Sequence, residues 1–252
     1  MLNIVCVKWG DKYSADYVNR LFKMVSNNIS IPFNFYCYTD DSKNIVDNIR
    51  IIDIEDDYLE VWWNKLALFQ KDFIKGEATN LYFDLDVVIQ NKIDSLMNYV
   101  KDELTLVRCY WKGNLVTYDN EIKIRNRWDM YANSSVMIWR NNSLSHIWDY
   151  FNSNPEYFMM KYLGIDRFLF HEKIKLNFFP KKIIYSRMKG EEEEDYTYGK
   201  LYDVKLFKNK KTRIRLKQFK EIYMYHIPER MICIFNGPTE DWTYKEFEHY
   251  WS

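Results

Sequence analysis

Asp84 and Asp86 stand two residues apart inside an otherwise apolar run, Leu81-Tyr82-Phe83-Asp84-Leu85-Asp86-Val87-Val88-Ile89. The β-branched residues Val87, Val88 and Ile89, with Tyr82 and Phe83 before them, predict one buried strand over residues 81–89. A charge is almost never buried without a partner. Two carboxylates at the end of a core strand therefore ask for a cation. Hard oxygen ligands suit Mg²⁺ or Mn²⁺, which keeps its remaining positions for water and phosphate oxygens. The chemistry expected is a divalent metal at Asp84 and Asp86 that in turn holds a diphosphate. A structural acid pair is the plainer alternative, because 36 acidic residues produce some D-x-D triples by chance. The apolar setting is what favours the metal.

Four other stretches carry residue types that fit such a site. Val7-Lys8-Trp9-Gly10 closes the first strand-like run, and Tyr13 follows it. A backbone edge, an indole face and a second ring can hold a nucleobase, and Lys8 can meet a phosphate; an ordinary strand exit with a surface Trp reads equally well. Lys65, in Trp62-Trp63-Asn64-Lys65-Leu66, can pair with Asp84 or with the diphosphate, or form a plain salt bridge. Asn133 and Ser134, with Ser135, can bond a sugar or ribose, although both types are common in turns. Asp166 opens a helix after Gly164. There it can orient an acceptor hydroxyl or act as a base, or simply favour the helix N-terminus.

Elements of alternating type must position these groups. Residues 2–8 read as a strand, and Ser14 caps a helix over 14–27 whose Tyr17, Val18, Leu21, Phe22 and Val25 share one face. Strands follow at 33–38 and 49–54, then a helix at 62–73 leading into the 81–89 strand. A short helix at 93–99, strands at 104–109 and 135–139, helices at 144–151 and 164–172, and a strand at 231–235 complete the pattern. Residues 110–132 read as an active-site loop. This is an α/β chain with ligand loops at the C-terminal ends of its strands, expected as a single domain over 1–252. Residues 1 to about 110 make its first half and residues 111–252 its second.

Composition narrows the function classes. Lys plus Arg and Asp plus Glu are each 36, so zero net charge gives no global pull toward nucleic acid or an anionic membrane. The eight basic residues of Lys205–Lys220 follow the acidic run Glu191–Asp195 and read as its balance. No apolar run reaches the ~20 residues of a membrane span, so no transmembrane segment is expected. Cys6, Cys37, Cys109 and Cys233 are widely spaced and form no C-x-x-C pair, which predicts reduced, buried thiols in a cytoplasmic protein. There is no G-x-G-x-x-G, no P-loop, no G-x-S-x-G elbow and no zinc-type histidine spacing.

Taken in order, these pieces resemble the glycosyltransferases of GT-A fold, in particular the galactosyltransferase- and glycogenin-like group and its short bacterial and viral relatives. The likeness runs through Val7-Lys8-Trp9-Gly10 with Tyr13, Thr39-Asp40-Asp41, Trp63-Asn64-Lys65-Leu66, Asp84-Leu85-Asp86, Asn133-Ser134-Ser135-Val136-Met137, Gly164-Ile165-Asp166 and Phe235-Asn236-Gly237-Pro238. The resemblance implies a Rossmann-like, mostly parallel sheet flanked by helices and a nucleotide-sugar donor, a UDP-sugar, bound through Mn²⁺ or Mg²⁺. It implies that residues 7–13 hold the base, that Asp84 and Leu85 lie near the ribose and donor, and that Asp86 ligates the metal. Asn133, Ser134 and Asp166 would face the transferred sugar or a glycan, lipid or protein acceptor. Asn236 stands where the family has a metal-ligating His, no Lys follows Pro238, and Arg167 replaces a Gln. A catalytically weak sugar- or nucleotide-binding module is the alternative these departures raise. A sugar nucleotidyltransferase is disfavoured, because Gly10 is the only glycine where a triphosphate loop would lie.

Overall fold

The computed structural model describes residues 1–55, 58–112, 130–187, 189–191, 225–235 and 247–251. Asn236 and the Lys205–Lys220 run, both singled out above, lie outside them, as do residues 192–195 of the acidic run and most of the 110–132 loop.

Seven strands form the main sheet: β1 (Leu2–Lys8), β2 (Phe33–Thr39), β3 (Arg50–Asp53), β4 (Thr79–Phe83), β6 (Leu104–Arg108), β7 (Ala132–Arg140) and β8 (Leu176–Phe178). Their order is β3-β2-β1-β4-β7-β6-β8. The pairs β3/β2, β2/β1, β1/β4 and β6/β8 are parallel, and β7 runs antiparallel to both of its neighbours. Three further strands, β5 (Val87–Ile89), β9 (Ile184–Ser186) and β10 (Ile232–Ile234), make a second sheet in the order β5-β10-β9.

The core lies on both faces of the main sheet, as the pleat of β1 shows. Ile4 and Cys6 face helix α1 (Ala15–Asn28) with Leu81 and Phe83, whereas Val5 faces the other way with Tyr82. Helix α1 buries Val18, Leu21, Met24 and Val25 against that first face. Each such side chain contributes about 1.5–3 kcal/mol over its exposed state. The second face is covered by the segment 61–69 and by helices α2 (Ser145–Asn152) and α4 (Ile165–His171).

Two expectations need correction. Residues 81–89 are not one strand. The chain leaves the main sheet after Phe83, turns at Leu85-Asp86 and enters the second sheet at Val87. Both halves are buried and made of strand-favouring residues, aromatic before the turn and β-branched after it, so composition could not show the break between sheets. The helix expected over 62–73 is a 3-10 helix, Val61–Phe69, with all of residues 63–69 buried. Burial on every side removes the two-faced pattern of an α-helix, and packing rather than propensity sets its winding.

Several short elements were not anticipated. Helix α3 (Pro155–Lys161) is capped by Asn154, whose side chain accepts a hydrogen bond from the Tyr157 amide, with Pro155 in the first turn. Strands β8 and β9 have three residues each, too short for an alternation signal.

Candidate functional site

The site begins where β1 and β4 end. Lys8 closes β1 and is buried; Val7 and Trp9 beside it are half-buried. Gly10 turns the chain with φ +64, a left-handed conformation that glycine adopts freely, and its amide donates to Asp40 Oδ2 at 2.8 Å. That bond fixes the loop after β1 to the loop after β2. Tyr13 then reaches the aspartate turn, donating its hydroxyl to Asp86 Oδ2 at 3.0 Å. The Lys12 ammonium stands 4.6 Å over the Tyr13 ring.

Asp84 faces another set of partners. Lys65, largely buried in the 3-10 segment, places Nζ 2.6 Å from Asp84 Oδ1. Tyr82, two residues back on the same face, donates its hydroxyl to the same oxygen at 2.6 Å. Lys65 Nζ also donates to Ser134 Oγ at 3.2 Å, and the Ser134 amide donates to Asp166 Oδ1 at 2.8 Å. An unbroken polar chain thus runs from Asp84 through Lys65 and Ser134 to Asp166. Asn133 folds back locally, its Oδ1 accepting from the Ser135 amide at 3.1 Å. The polar chain forms one wall of a cleft of about 250 Å³, which Asn133 and Trp62 also line.

The electrostatics follow from this crowding. Burial and the neighbouring Asp84 push the Asp86 carboxyl up to about 6, while the Tyr13 hydrogen bond and the Lys12 and Lys65 charges oppose the rise. Burial also raises Asp166; Lys65 and the Ser134 hydrogen bonds hold it back. Two carboxylates that repel each other in a half-buried turn are a place where a cation lowers the energy. Lys65 and Tyr82 bind Asp84 through Oδ1 and Tyr13 binds Asp86 through Oδ2, so each carboxylate has a second oxygen to offer a ligand. Two such oxygens fit a hard divalent cation. No group of three or more His, Cys, Asp or Glu converges among the described residues.

The structure therefore brings together Tyr13, Lys65, Asp84, Asp86, Ser134 and Asp166, with Asn133 alongside. Val7, Lys8 and Trp9 sit at the adjoining strand end without a direct bond to that chain. Leu85 turns its side chain into the core, so only its backbone is offered to a ligand. Tyr82, Lys12 and Trp62 were missed as site residues. Tyr82 was legible, since i and i+2 on a strand share a face. Trp62 was not, because nothing local separates it from the buried Trp63 next to it.

No protein-family model matches the sequence, and no curated protein matches it. Solved structures do. The galactosyltransferase LgtC, in complex with donor and acceptor sugar analogs, is similar over 98% of this chain and 93% of its own, with a TM-score of 0.58 and 14% identity. An active-site mutant of LgtC is similar over 95% of this chain and 89% of its own, at TM-score 0.56 and 14% identity. The bifunctional glycosyltransferase WbbM, in its apo form, covers 100% of this chain at TM-score 0.58 and 10% identity; the chain spans 49% of WbbM. Likeness over nearly the whole length at such low identity is likeness of backbone, and the chain has the GT-A glycosyltransferase fold.

Proposed function

We propose that this protein is a glycosyltransferase that moves a sugar from a nucleoside-diphosphate sugar, a UDP-sugar by resemblance, to a hydroxyl of a glycan, lipid or protein acceptor. The observation that carries the reading is the polar chain Asp84–Lys65–Ser134–Asp166, with Asp86–Tyr13 at its head, at the C-terminal ends of parallel strands. The fold's solved neighbours include an enzyme with donor and acceptor sugar analogs bound.

In this reading Tyr13, Trp9 and the backbone after β1 hold the base, and Lys8 or Lys65 meets the diphosphate. Asp84 and Asp86 would hold Mn²⁺ or Mg²⁺, with Asn236 as a further ligand. When bound, the metal would neutralise charge on the departing diphosphate. The acceptor oxygen forms a bond to the anomeric carbon, the bond from that carbon to the diphosphate oxygen breaks with its electron pair leaving on the nucleoside diphosphate, and the hydroxyl proton passes to water. Asp166 and Asn133 position the acceptor and the transferred sugar. One domain carries both halves, donor to about residue 110 and acceptor beyond it. A cytoplasmic setting is supported by the four free, buried cysteines, and among the described residues no helix is long and apolar enough to cross a membrane.

A binding module without turnover is the second reading, favoured by one observation: Lys65 already neutralises Asp84. A thermal-shift screen of nucleotide sugars with Mn²⁺, paired with a turnover assay on the best stabiliser, decides between them. A true donor raises the melting temperature by mass action. Stabilisation with turnover supports the enzyme, stabilisation without turnover across many acceptors supports the module, and no stabilisation by any nucleotide sugar sinks both.

A further inference from the structure

Adjacent tryptophans lie at opposite extremes here. Trp63 is buried in the core, whereas Trp62 is 47% exposed and lines the cleft that holds Lys65, Asp84, Asn133, Ser134 and Asp166. Its placement is specific. Gly164, at φ +144, has no Cβ; one built there would sit 2.8 Å from the Trp62 indole nitrogen and 3.1 Å from the adjoining carbon. The indole edge thus rests in a notch that only glycine leaves open. Leu163, next to that notch, is 66% exposed and lines the same cleft.

A large exposed ring at the mouth of a charged cleft needs an explanation, because water solvates neither of its faces well. A flat apolar surface beside convergent polar groups matches a pyranose. One face of that ring is a patch of C–H bonds, and its rim carries hydroxyls. An alkyl chain would cover the indole, but it would desolvate Lys65, Asp84 and Asp166 without returning a hydrogen bond. A planar aromatic hydrocarbon would do the same.

We propose that Trp62, held over Gly164, is the stacking platform for an acceptor pyranose, whose hydroxyls meet Asn133 and Asp166. The acceptor is then a carbohydrate rather than a bare lipid alcohol or a peptide side chain. This rests on the transfer reading for its word "acceptor", but the sugar contact itself does not need turnover.

The test is saturation-transfer NMR on the full chain with glucose, galactose, lactose and maltose as probes, alongside the parent's turnover assay. At least one sugar should show transfer to its ring C–H protons. Trp62→Ala should weaken that sugar at least tenfold, and Trp62→Phe should bring it back to within threefold of the parent. Unchanged binding in Trp62→Ala overturns the platform, as does binding of none of the four sugars. Preferential binding of 1-octanol, lost in Trp62→Ala, also overturns it. Sugar binding lost with Trp62 in a parent that shows no turnover keeps the platform and removes the transfer reading. Turnover with Trp62-independent sugar binding does the reverse.

Discussion

Lys65 Nζ lies 2.6 Å from Asp84 Oδ1, so one of the two aspartates that seemed to demand a cation from solution already has one from the chain. The pair is mostly shielded, with side-chain exposures of 10% and 21%. Removing one partner strands the other. Lys65→Met should therefore lower stability by about 2 kcal/mol, between the ~0–1 kcal/mol of an exposed pair and the ~3–5 kcal/mol of a fully buried one. Lys65→Met combined with Asp84→Asn should recover most of the loss, because neither variant group carries a charge. Urea unfolding of the two single variants and the double variant gives the coupling, and additive losses would mean that the contact contributes nothing.

Asp86 gives a pH signature. Its carboxyl stands at about 6 in the fold, against an ordinary value of 3.8. Between those values the folded state holds a proton that the unfolded state has released. The group therefore costs stability as pH rises through the window, and the cost is complete above about pH 6. Asp86→Asn should raise the melting temperature of the metal-free protein at pH 7.5 and lose that advantage near pH 4. Tyr13→Phe removes a hydrogen bond that favours the charged form, so it should shift the transition upward. A proton and a cation compete for this carboxylate, so stabilisation by added Mn²⁺ should grow as pH rises through about 6. A melting series from pH 4 to 8 on the parent and the two variants reads all three.

The turn between these aspartates also marks how far sequence reasoning could go. The polarity of residues 81–89 was legible, and so was the pairing of Lys65 with Asp84. The change of sheet was not, since Val87–Ile89 is as apolar and β-branched as a continuation of β4 would be. That change matters, because it lets Asp84 face Lys65 while Asp86 faces Tyr13. The link from Asp166 to the Ser134 amide joins residues 32 apart through a backbone group, and no side-chain pattern encodes such a partner. Helix α3 has seven residues, too few for a clear helical period, and only the Asn154-Pro155 start marks it in the sequence.

Asp166 has a structural bond to the Ser134 amide and a proposed role toward the acceptor, and the two separate by substitution. Asp166→Asn keeps an oxygen for the Ser134 amide, so the fold should hold within ~0.5 kcal/mol. If the carboxylate positions the acceptor as proposed, its removal should cut transfer at least tenfold, by about 1.4 kcal/mol or more in the barrier. Circular dichroism with initial-rate kinetics on the variant checks both. Undiminished transfer would remove Asp166 from the acceptor site.

Gly164 tests whether the notch under Trp62 is a matter of backbone or of space. At φ +144 and ψ 169 it occupies a region that L side chains rarely adopt, and a backbone forced there costs about 1–3 kcal/mol. The second cost is the collision with the indole edge. Trp62 is half exposed, so its ring can give slightly at the notch, whereas φ cannot relax without moving the start of α4 and Asp166 with it. Gly164→Ala should therefore be destabilised mainly by the backbone. Adding Trp62→Ala, which clears the collision, should restore less than half of the loss in urea unfolding. Full restoration would instead assign the whole cost to the ring and leave the glycine's conformation without energetic consequence.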